Sequence, residues 1–217
     1  RSEERHGVST RLIMCFLRDQ SAESAMATLE EAKPHLRRIT GVGLDSAEVG
    51  HPPSKFAAVY EAAGALGLRK VAHAGEEGPA AYVREALDVL GVERIDHGLR
   101  CMEDPELVER LVRERVPLTL CPLSNVRLRA VDILEEHPLP RMMAAGLLCT
   151  VNSDDPAYFG GYVDDTFHAV HEALGIGQEG LRELARTSFE AAFLDGGPEE
   201  EALRARYLAE VAAYTFD

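Results

Sequence analysis

A repeat of about 25 to 30 residues runs along the chain, and each copy joins a short apolar run to an amphipathic stretch. Capping signals mark the amphipathic stretches as helices, with Ser21 and Ser54 at two starts and Gly67 and Gly91 at two ends. The apolar runs are predicted as six strands, at 11–17, 41–45, 70–73, 94–97, 116–121 and 147–152. Strands that alternate with helices predict an α/β fold whose parallel sheet is covered by helices.

Two parallel architectures fit this alternation. A doubly wound sheet usually carries a glycine-rich phosphate loop after its first strand, and this sequence has none. In a (β/α)8 barrel, functional residues stand at the C-terminal ends of several strands. The polar residues Asp45, His73, His97, Ser124 and Asp154 occupy such positions here. We therefore predict a TIM-type (β/α)8 barrel, incomplete because about six of the eight strands are present, followed by C-terminal helices.

Composition limits the class of protein. The 217 residues are 46% hydrophobic and contain no linker, which predicts a single domain over 1–217. A net charge of -14 would repel a phosphate backbone, so we expect no nucleic acid polymer as partner. No stretch reaches the roughly 20 apolar residues of a membrane span, and the charged N-terminus does not resemble a signal peptide. Four isolated cysteines indicate reduced, buried thiols and hence the cytoplasm; oligomerisation stays open.

The strand ends suggest hydrolytic chemistry. Histidine nitrogen and carboxylate oxygen are ordinary zinc ligands, and His73 and Asp154 are the best candidates. Glu76, three residues after His73, could move protons as a general acid and base, and His97 could orient the attacking water. Taken alone, the stretch around His73 fits a buried histidine before a polar loop equally well.

Four motifs together carry a resemblance to a known family. They are HAGE at 73–76, IDHG at 95–98, CPLSN at 121–125 and SDDP at 153–156. In this order they resemble the adenosine/adenine deaminase family of metal-dependent hydrolases, which have a (β/α)8 barrel. The loop at 45–56 resembles the bacterial and fungal adenine deaminase branch more than the adenosine branch.

The resemblance implies zinc-dependent hydrolytic deamination of adenine to hypoxanthine and ammonia, a reaction of purine salvage. It also implies one Zn²⁺ in a complete catalytic domain and a small-molecule purine as substrate. By position in the motifs, the metal ligands are His73 and Asp154, the catalytic residues are Glu76 and His97, and the substrate contacts are Asp155 and, in the loop lining the pocket, Glu48.

One departure from the family is clear. Two further zinc ligands, a His-x-His pair at the end of the family's first strand, have no counterpart in this sequence. We expect an N-terminally truncated chain that alone binds zinc weakly and has little or no activity. The alternatives are a deaminase of adenosine or N6-substituted adenine, and a non-catalytic remnant that acts as a binding or assembly module.

Other polar residues near the motifs receive structural predictions. Ser124 and Asn125 are expected to stabilise their own turn by bonding nearby backbone. Asp96 is expected to point away from His97, because neighbouring side chains alternate along a strand, and hence to support a metal ligand from behind or to contact a helix. His137 is expected to lie on the surface.

Overall fold

The sheet has six parallel strands, hydrogen-bonded in the same order in which they occur along the chain. The computed structural model describes residues 5–194 and 196–215. The strands are β1 (Ile13–Leu17), β2 (Gly41–Asp45), β3 (Arg69–Ala74), β4 (Arg94–His97), β5 (Pro117–Leu120) and β6 (Leu148–Val151). All six predicted strands are confirmed, and so is the α/β fold with its six-stranded part of a TIM-type barrel.

Helices connect the strands and cover the sheet. They are α1 (Ala22–Ala32), α2 (Ala57–Ala65), α3 (Ala80–Glu85), α4 (Pro105–Glu114), α5 (Pro122–Arg127), α6 (Leu139–Ala144), α7 (Pro156–Phe159), α8 (Val163–Leu174), α9 (Gln178–Ala191) and α10 (Pro198–Ala213). A π-helical turn at Ala86–Leu90 extends α3 and ends at Gly91, which has a left-handed φ of 64°. Among the described residues, no helix has the length and apolar character needed to cross a bilayer.

The core lies between the strands and the helices packed on them. Strand residues alternate in direction, and the buried set includes Leu44 on β2, Ile95 on β4 and Leu118 on β5, each fully buried. Leu29 of α1 and Leu111 of α4 belong to the same continuous apolar cluster. This packing fixes the strands relative to one another, and therefore fixes the positions of the residues at their C-terminal ends.

The two outer strands are paired on one side only within the described residues. β1 consequently leaves Leu17 exposed by 53%, and Leu12 just before the strand is exposed by 61%. Cys15 is also exposed, so the prediction of buried thiols is wrong at this position, although it is confirmed for Cys101, Cys121 and Cys149. Unpaired parallel edges are a recognised route to association with other chains.

Candidate active site

The predicted site residues of three strands come together at the C-terminal end of the sheet. His73 lies on β3 and His97 ends β4, and their rings meet edge to face with centroids 4.6 Å apart. The Nδ1 atom of His97 is 3.4 Å from Oε1 of Glu76, in the loop after β3. Asp154, after β6, has a carboxylate oxygen within 4.8 Å of a ligand atom of His97. Residues up to 81 positions apart in sequence, from His73 to Asp154, therefore share one small region.

Left-handed backbone helps to aim these side chains. His97 has a φ of 65° and Asp154 a φ of 58°, values that cost a non-glycine residue roughly 1 to 2 kcal/mol. At His97 this conformation ends the regular alternation of β4. As a result the consecutive residues Asp96 and His97 both contact His73, with 3.4 Å between Oδ2 of Asp96 and Nδ1 of His73. The predicted supporting contact of Asp96 is confirmed, because Asp96 pairs with His73, whereas the prediction that Asp96 and His97 face different surroundings is wrong.

The carboxyl group of Glu76 is suited to proton transfer. The side chain is buried, and Oε1 accepts a hydrogen bond of 2.6 Å from Nδ2 of Asn125. Burial, with smaller contributions from Asp154 and Glu48, raises the pKa of Glu76 to about 7 against the opposing effects of His73 and Asn125. Near neutral pH the group is therefore poised between its acid and carboxylate forms.

His97 is held in its neutral form. Burial and the neighbouring positive charge of His73 lower the pKa of His97 to about 3. Its Nδ1 lies 3.2 Å from Nδ2 of Asn125, so it accepts from the amide, and the ring proton then resides on Nε2. A neutral imidazole with this fixed tautomer can orient a water molecule by donating the Nε2 hydrogen to its oxygen.

His73 and Asp96 form a charged pair. Burial opposes protonation of His73, but the carboxylate of Asp96 outweighs it and raises the pKa of His73 to about 9. In the same way, His73 overcomes the effect of burial and lowers the pKa of Asp96 to about 2. A histidine ligand backed by a carboxylate is a common arrangement in metal sites, and a metal that binds His73 must displace its proton.

Asn125 is a site residue that sequence reasoning missed. Its fully buried side chain bonds Glu76, His97 and His137, whereas the turn of α5 is closed by backbone atoms. Ser124 likewise donates to Oδ2 of Asp154 at 2.6 Å. The prediction that both side chains serve their own turn is therefore wrong. Their position directly after a strand was the available signal.

His137 is the second residue that sequence reasoning missed. It is 3% exposed, so the prediction of a surface position is wrong. Its Nδ1 accepts from the backbone N–H of Leu139 at 3.1 Å, and its Nε2 lies 3.2 Å from Oδ1 of Asn125. Nothing in the local sequence signals this placement, because the partner stands 12 residues earlier in the chain.

Three side chains approach one another closely enough to hold a single metal ion. They are His97, Cys121 and Asp154, whose ligand atoms all lie within 4.8 Å of one another. Nitrogen, thiolate and carboxylate are donors that zinc accepts, so the chemistry of the site fits the predicted metal. His73 stands beside this group through its contact with His97, and its Nδ1 faces Oδ2 of Asp96 at 3.4 Å.

The two predicted substrate contacts lie in different surroundings. Glu48 is 2% exposed, and its carboxylate accepts the backbone N–H groups of four consecutive residues at 2.6 to 3.0 Å: Gly75, Glu76, Glu77 and Gly78. Asp155 is exposed at the start of α7 and makes no side-chain cap hydrogen bond to that helix. Contact of either residue with substrate stays a prediction.

Comparison with curated proteins finds close relatives. The chain is 77% identical over 215 residues to an adenine deaminase from Streptomyces coelicolor, and the match covers 99% of this chain and 62% of that protein. It is 55% identical over 213 residues to an adenine deaminase from Sphingopyxis alaskensis, with 98% and 61% covered. The chain thus spans about three fifths of the length of these relatives.

Solved structures give the same picture. The adenine deaminase of Arthrobacter aurescens has a TM-score of 0.93 and 57% identity, over 97% of this chain and 63% of that one. An amidohydrolase from Burkholderia ambifaria with bound zinc has a TM-score of 0.89 and 28% identity, over 97% and 59%. The model of the adenosine deaminase family matches residues 1–208. The motifs at the strand ends and this match over nearly the whole sequence show that the chain belongs to the adenosine deaminase family.

Proposed function

We propose that this chain carries most of the site of a zinc-dependent adenine deaminase, which hydrolyses adenine to hypoxanthine and ammonia in purine salvage. The observation that best supports this is the joint engagement of Glu76 and His97 by Asn125 beside a group of metal donors. Relatives called adenine deaminase, at 77% and 55% identity, favour adenine as the substrate.

The residues that would hold the metal are His73 and Asp154, with His97 and Cys121 close by. When bound, zinc makes water a nucleophile at neutral pH. Ser124 fixes Asp154 through one carboxylate oxygen, and Asp96 stands behind His73. Such supporting contacts orient ligands and tune their basicity.

Glu76 supplies and recovers the proton of the reaction. With a pKa of about 7, it donates a proton to ring nitrogen N1 of adenine as the oxygen of water bonds to C6. The C6–N6 bond then breaks. One proton of the water leaves within ammonia, the other returns to Glu76, and the proton given to N1 remains in hypoxanthine. Neutral His97 orients the water by donating its Nε2 hydrogen to the water oxygen.

The substrate contacts are also part of this proposal. Asp155 is exposed and follows Asp154 directly in sequence, so it would offer a carboxylate to a hydrogen-bond donor of the purine. Glu48 contributes by holding the loop that carries Glu76, and a direct contact with the purine is its second predicted role.

Two alternative functions have distinct tests. Adenosine or an N6-substituted adenine would use the same hydrolytic groups, so a panel of purines separates them from adenine. A non-catalytic binding or assembly module would turn over none of them. We further propose a cytoplasmic protein of one domain that acts on a small molecule and not on nucleic acid or membranes, with oligomerisation open.

The test uses the full-length gene product. We expect one zinc per chain and release of ammonia from adenine well above that from adenosine or N6-methyladenine. Glu76→Gln should abolish turnover and retain zinc, because it removes the proton donor and leaves the ligands in place. Turnover of adenosine above adenine, or unchanged turnover in the Glu76 variant, would contradict the proposal.

A further inference from the structure

We propose that Asn125 and His137 are positioning residues that set the tautomer of His97 and the orientation of Glu76. This inference rests on the proposed deaminase function. The four side chains form one buried polar chain, with the backbone N–H of Leu139 at its outer end and Glu76 and His97 at its inner end.

The direction of each hydrogen bond follows from the backbone. An amide N–H only donates, so Nδ1 of His137 is the acceptor from Leu139. Burial lowers the pKa of His137 to about 4, which leaves the ring neutral with its proton on Nε2. That proton points to Oδ1 of Asn125 at 3.2 Å.

The orientation of the Asn125 amide is fixed in consequence. With Oδ1 occupied by His137, Nδ2 must face the reactive groups and donates one hydrogen to Oε1 of Glu76 and the other to Nδ1 of His97. Both amide hydrogens and the amide oxygen are thus used. A flipped amide would set its oxygen against the Glu76 carboxylate and leave His97 without a donor.

Two consequences follow for the reacting side chains. His97 must carry its proton on Nε2, because Nδ1 accepts from Asn125. Since Oε1 of Glu76 also accepts from Asn125, the transferable proton of Glu76 resides on Oε2. His137 is 40 positions from His97 and 61 from Glu76 in sequence. It therefore sets which ring nitrogen of His97 and which carboxyl oxygen of Glu76 carry the proton.

The decisive pair of variants is His137→Gln and His137→Met. The two replacements have similar length, but only glutamine offers an N–H to Asn125. In the zinc-loaded full-length protein we expect His137→Met to lower kcat about 10-fold or more with KM for adenine nearly unchanged, and His137→Gln to recover most of that loss. His35→Phe, at an exposed histidine, is the control and should leave both constants unchanged.

Two further measurements complete the test. Asn125→Asp keeps the shape of the side chain but removes both N–H donors, so it should lower kcat and change KM little. This variant keeps the inference testable if a His137 variant fails to fold. Nitrogen-15 NMR of labelled histidine should find His97 with its proton on Nε2 in the wild type and a mixture of tautomers in His137→Met.

The outcomes separate this inference from the proposed function. Equal kcat in His137→Met and His137→Gln, or a wild-type His97 protonated on Nδ1, would overturn the positioning role of Asn125 and His137 even in an active deaminase. Absence of adenine turnover in the wild type would instead refute the proposed function, and the tautomer measurement would still decide the inference.

Discussion

At the scale of single residues, the carboxylate of Glu48 organises the backbone that presents Glu76. Four backbone N–H groups of the loop at 75–78 donate hydrogen bonds to its two oxygens. These four donors are thus satisfied by a side chain from a distant part of the sequence. Gly78 is required for this approach, because a Cβ there would lie 2.7 Å from the Glu48 carboxylate. The loop and its anchor are therefore one unit, although 27 residues separate Glu48 from Gly75.

Glu48→Gln should weaken this unit. Glutamine keeps one acceptor oxygen and turns an N–H₂ group toward backbone donors, so we expect a loss of about 2 kcal/mol in the free energy of unfolding and a lower kcat. Chemical denaturation and steady-state kinetics measure the two effects. Glu77→Gln is the matched control, because that side chain is exposed. Equal stability of the two variants would rule out the anchoring role.

Glu76 makes stability depend on pH in the metal-free protein. Its pKa is raised from 4.5 to about 7, so the folded state binds the proton more tightly than the unfolded state, and stability falls as pH rises from about 4.5 to 7. Glu76→Gln removes this cost. The variant should be more stable than wild type by up to about 3 kcal/mol at pH 8, with little difference near pH 4.

Denaturation curves of both proteins in the presence of a chelator provide the measurement. If the wild type instead gains stability relative to the variant between pH 5 and 7, burial does not raise the pKa of Glu76. Together with the loss of turnover, the expected result would identify Glu76 as a group that serves chemistry at the expense of stability.

The sequence predicted the residues that meet at the strand ends but not all of their partners. His73, Glu76, His97 and Asp154 could be predicted because polar residues at the C-terminal ends of parallel strands meet at one edge of the sheet. The contacts of Asn125 and His137 depend on side-chain packing between distant segments. No local periodicity encodes such contacts, and for that reason they emerge only from the structure.

At the scale of elements, prediction succeeded where a segment is long or strongly patterned. The strands and the helices α1, α4 and α8 have clear caps or apolar faces. The predicted Ser54 cap of α2 is wrong, because a 3-10 turn at Pro53–Phe56 precedes this helix and neither element has a side-chain cap. The short helices α5 and α7 were not predicted, because helices of one or two turns depend on tertiary contacts and not on intrinsic propensity. The π-helical turn after α3 was missed for the same reason.

Two glycine variants should have opposite effects on the free energy of unfolding. A Cβ at Gly41 on β2 would lie 2.6 Å from the backbone oxygen of Arg69, so Gly41→Ala must push β2 away from β3 and should cost about 1 to 3 kcal/mol. Gly64 is exposed in α2, where an added Cβ meets nothing closer than 3.9 Å. Gly64→Ala should therefore stabilise the protein by about 0.5 to 1 kcal/mol.

Denaturant titrations of both variants against wild type provide the comparison. If both variants change the free energy of unfolding in the same direction, the close approach of β2 and β3 does not restrict the size of the side chain at position 41.

At the scale of the whole molecule, the number of metal ligands in the 217-residue chain bears on activity. Within the described residues one group of three side chains has ligand atoms close enough to hold an ion, and His73 lies beside that group. A catalytic zinc normally has three or more protein ligands. The 217-residue chain should accordingly bind zinc more weakly than the full-length gene product and show little adenine turnover.

Metal analysis after dialysis and an ammonia-release assay on both proteins check this prediction. Light scattering adds an independent readout, since the exposed edges should make the shorter chain associate at high concentration. Stoichiometric zinc with full turnover in the 217-residue chain would show that the described donors suffice.

The order of the strands also has a consequence for how the protein is made. Each of the strands β2 to β6 is hydrogen-bonded to the strand that precedes it in sequence, so each of these segments finds a partner already synthesised when it leaves the ribosome. No strand among the described residues must wait for a distant one, and loop closure stays short throughout growth of the sheet. The described part of the chain is therefore suited to fold progressively during translation, and the candidate site residues meet only after β6 and Asp154 have emerged.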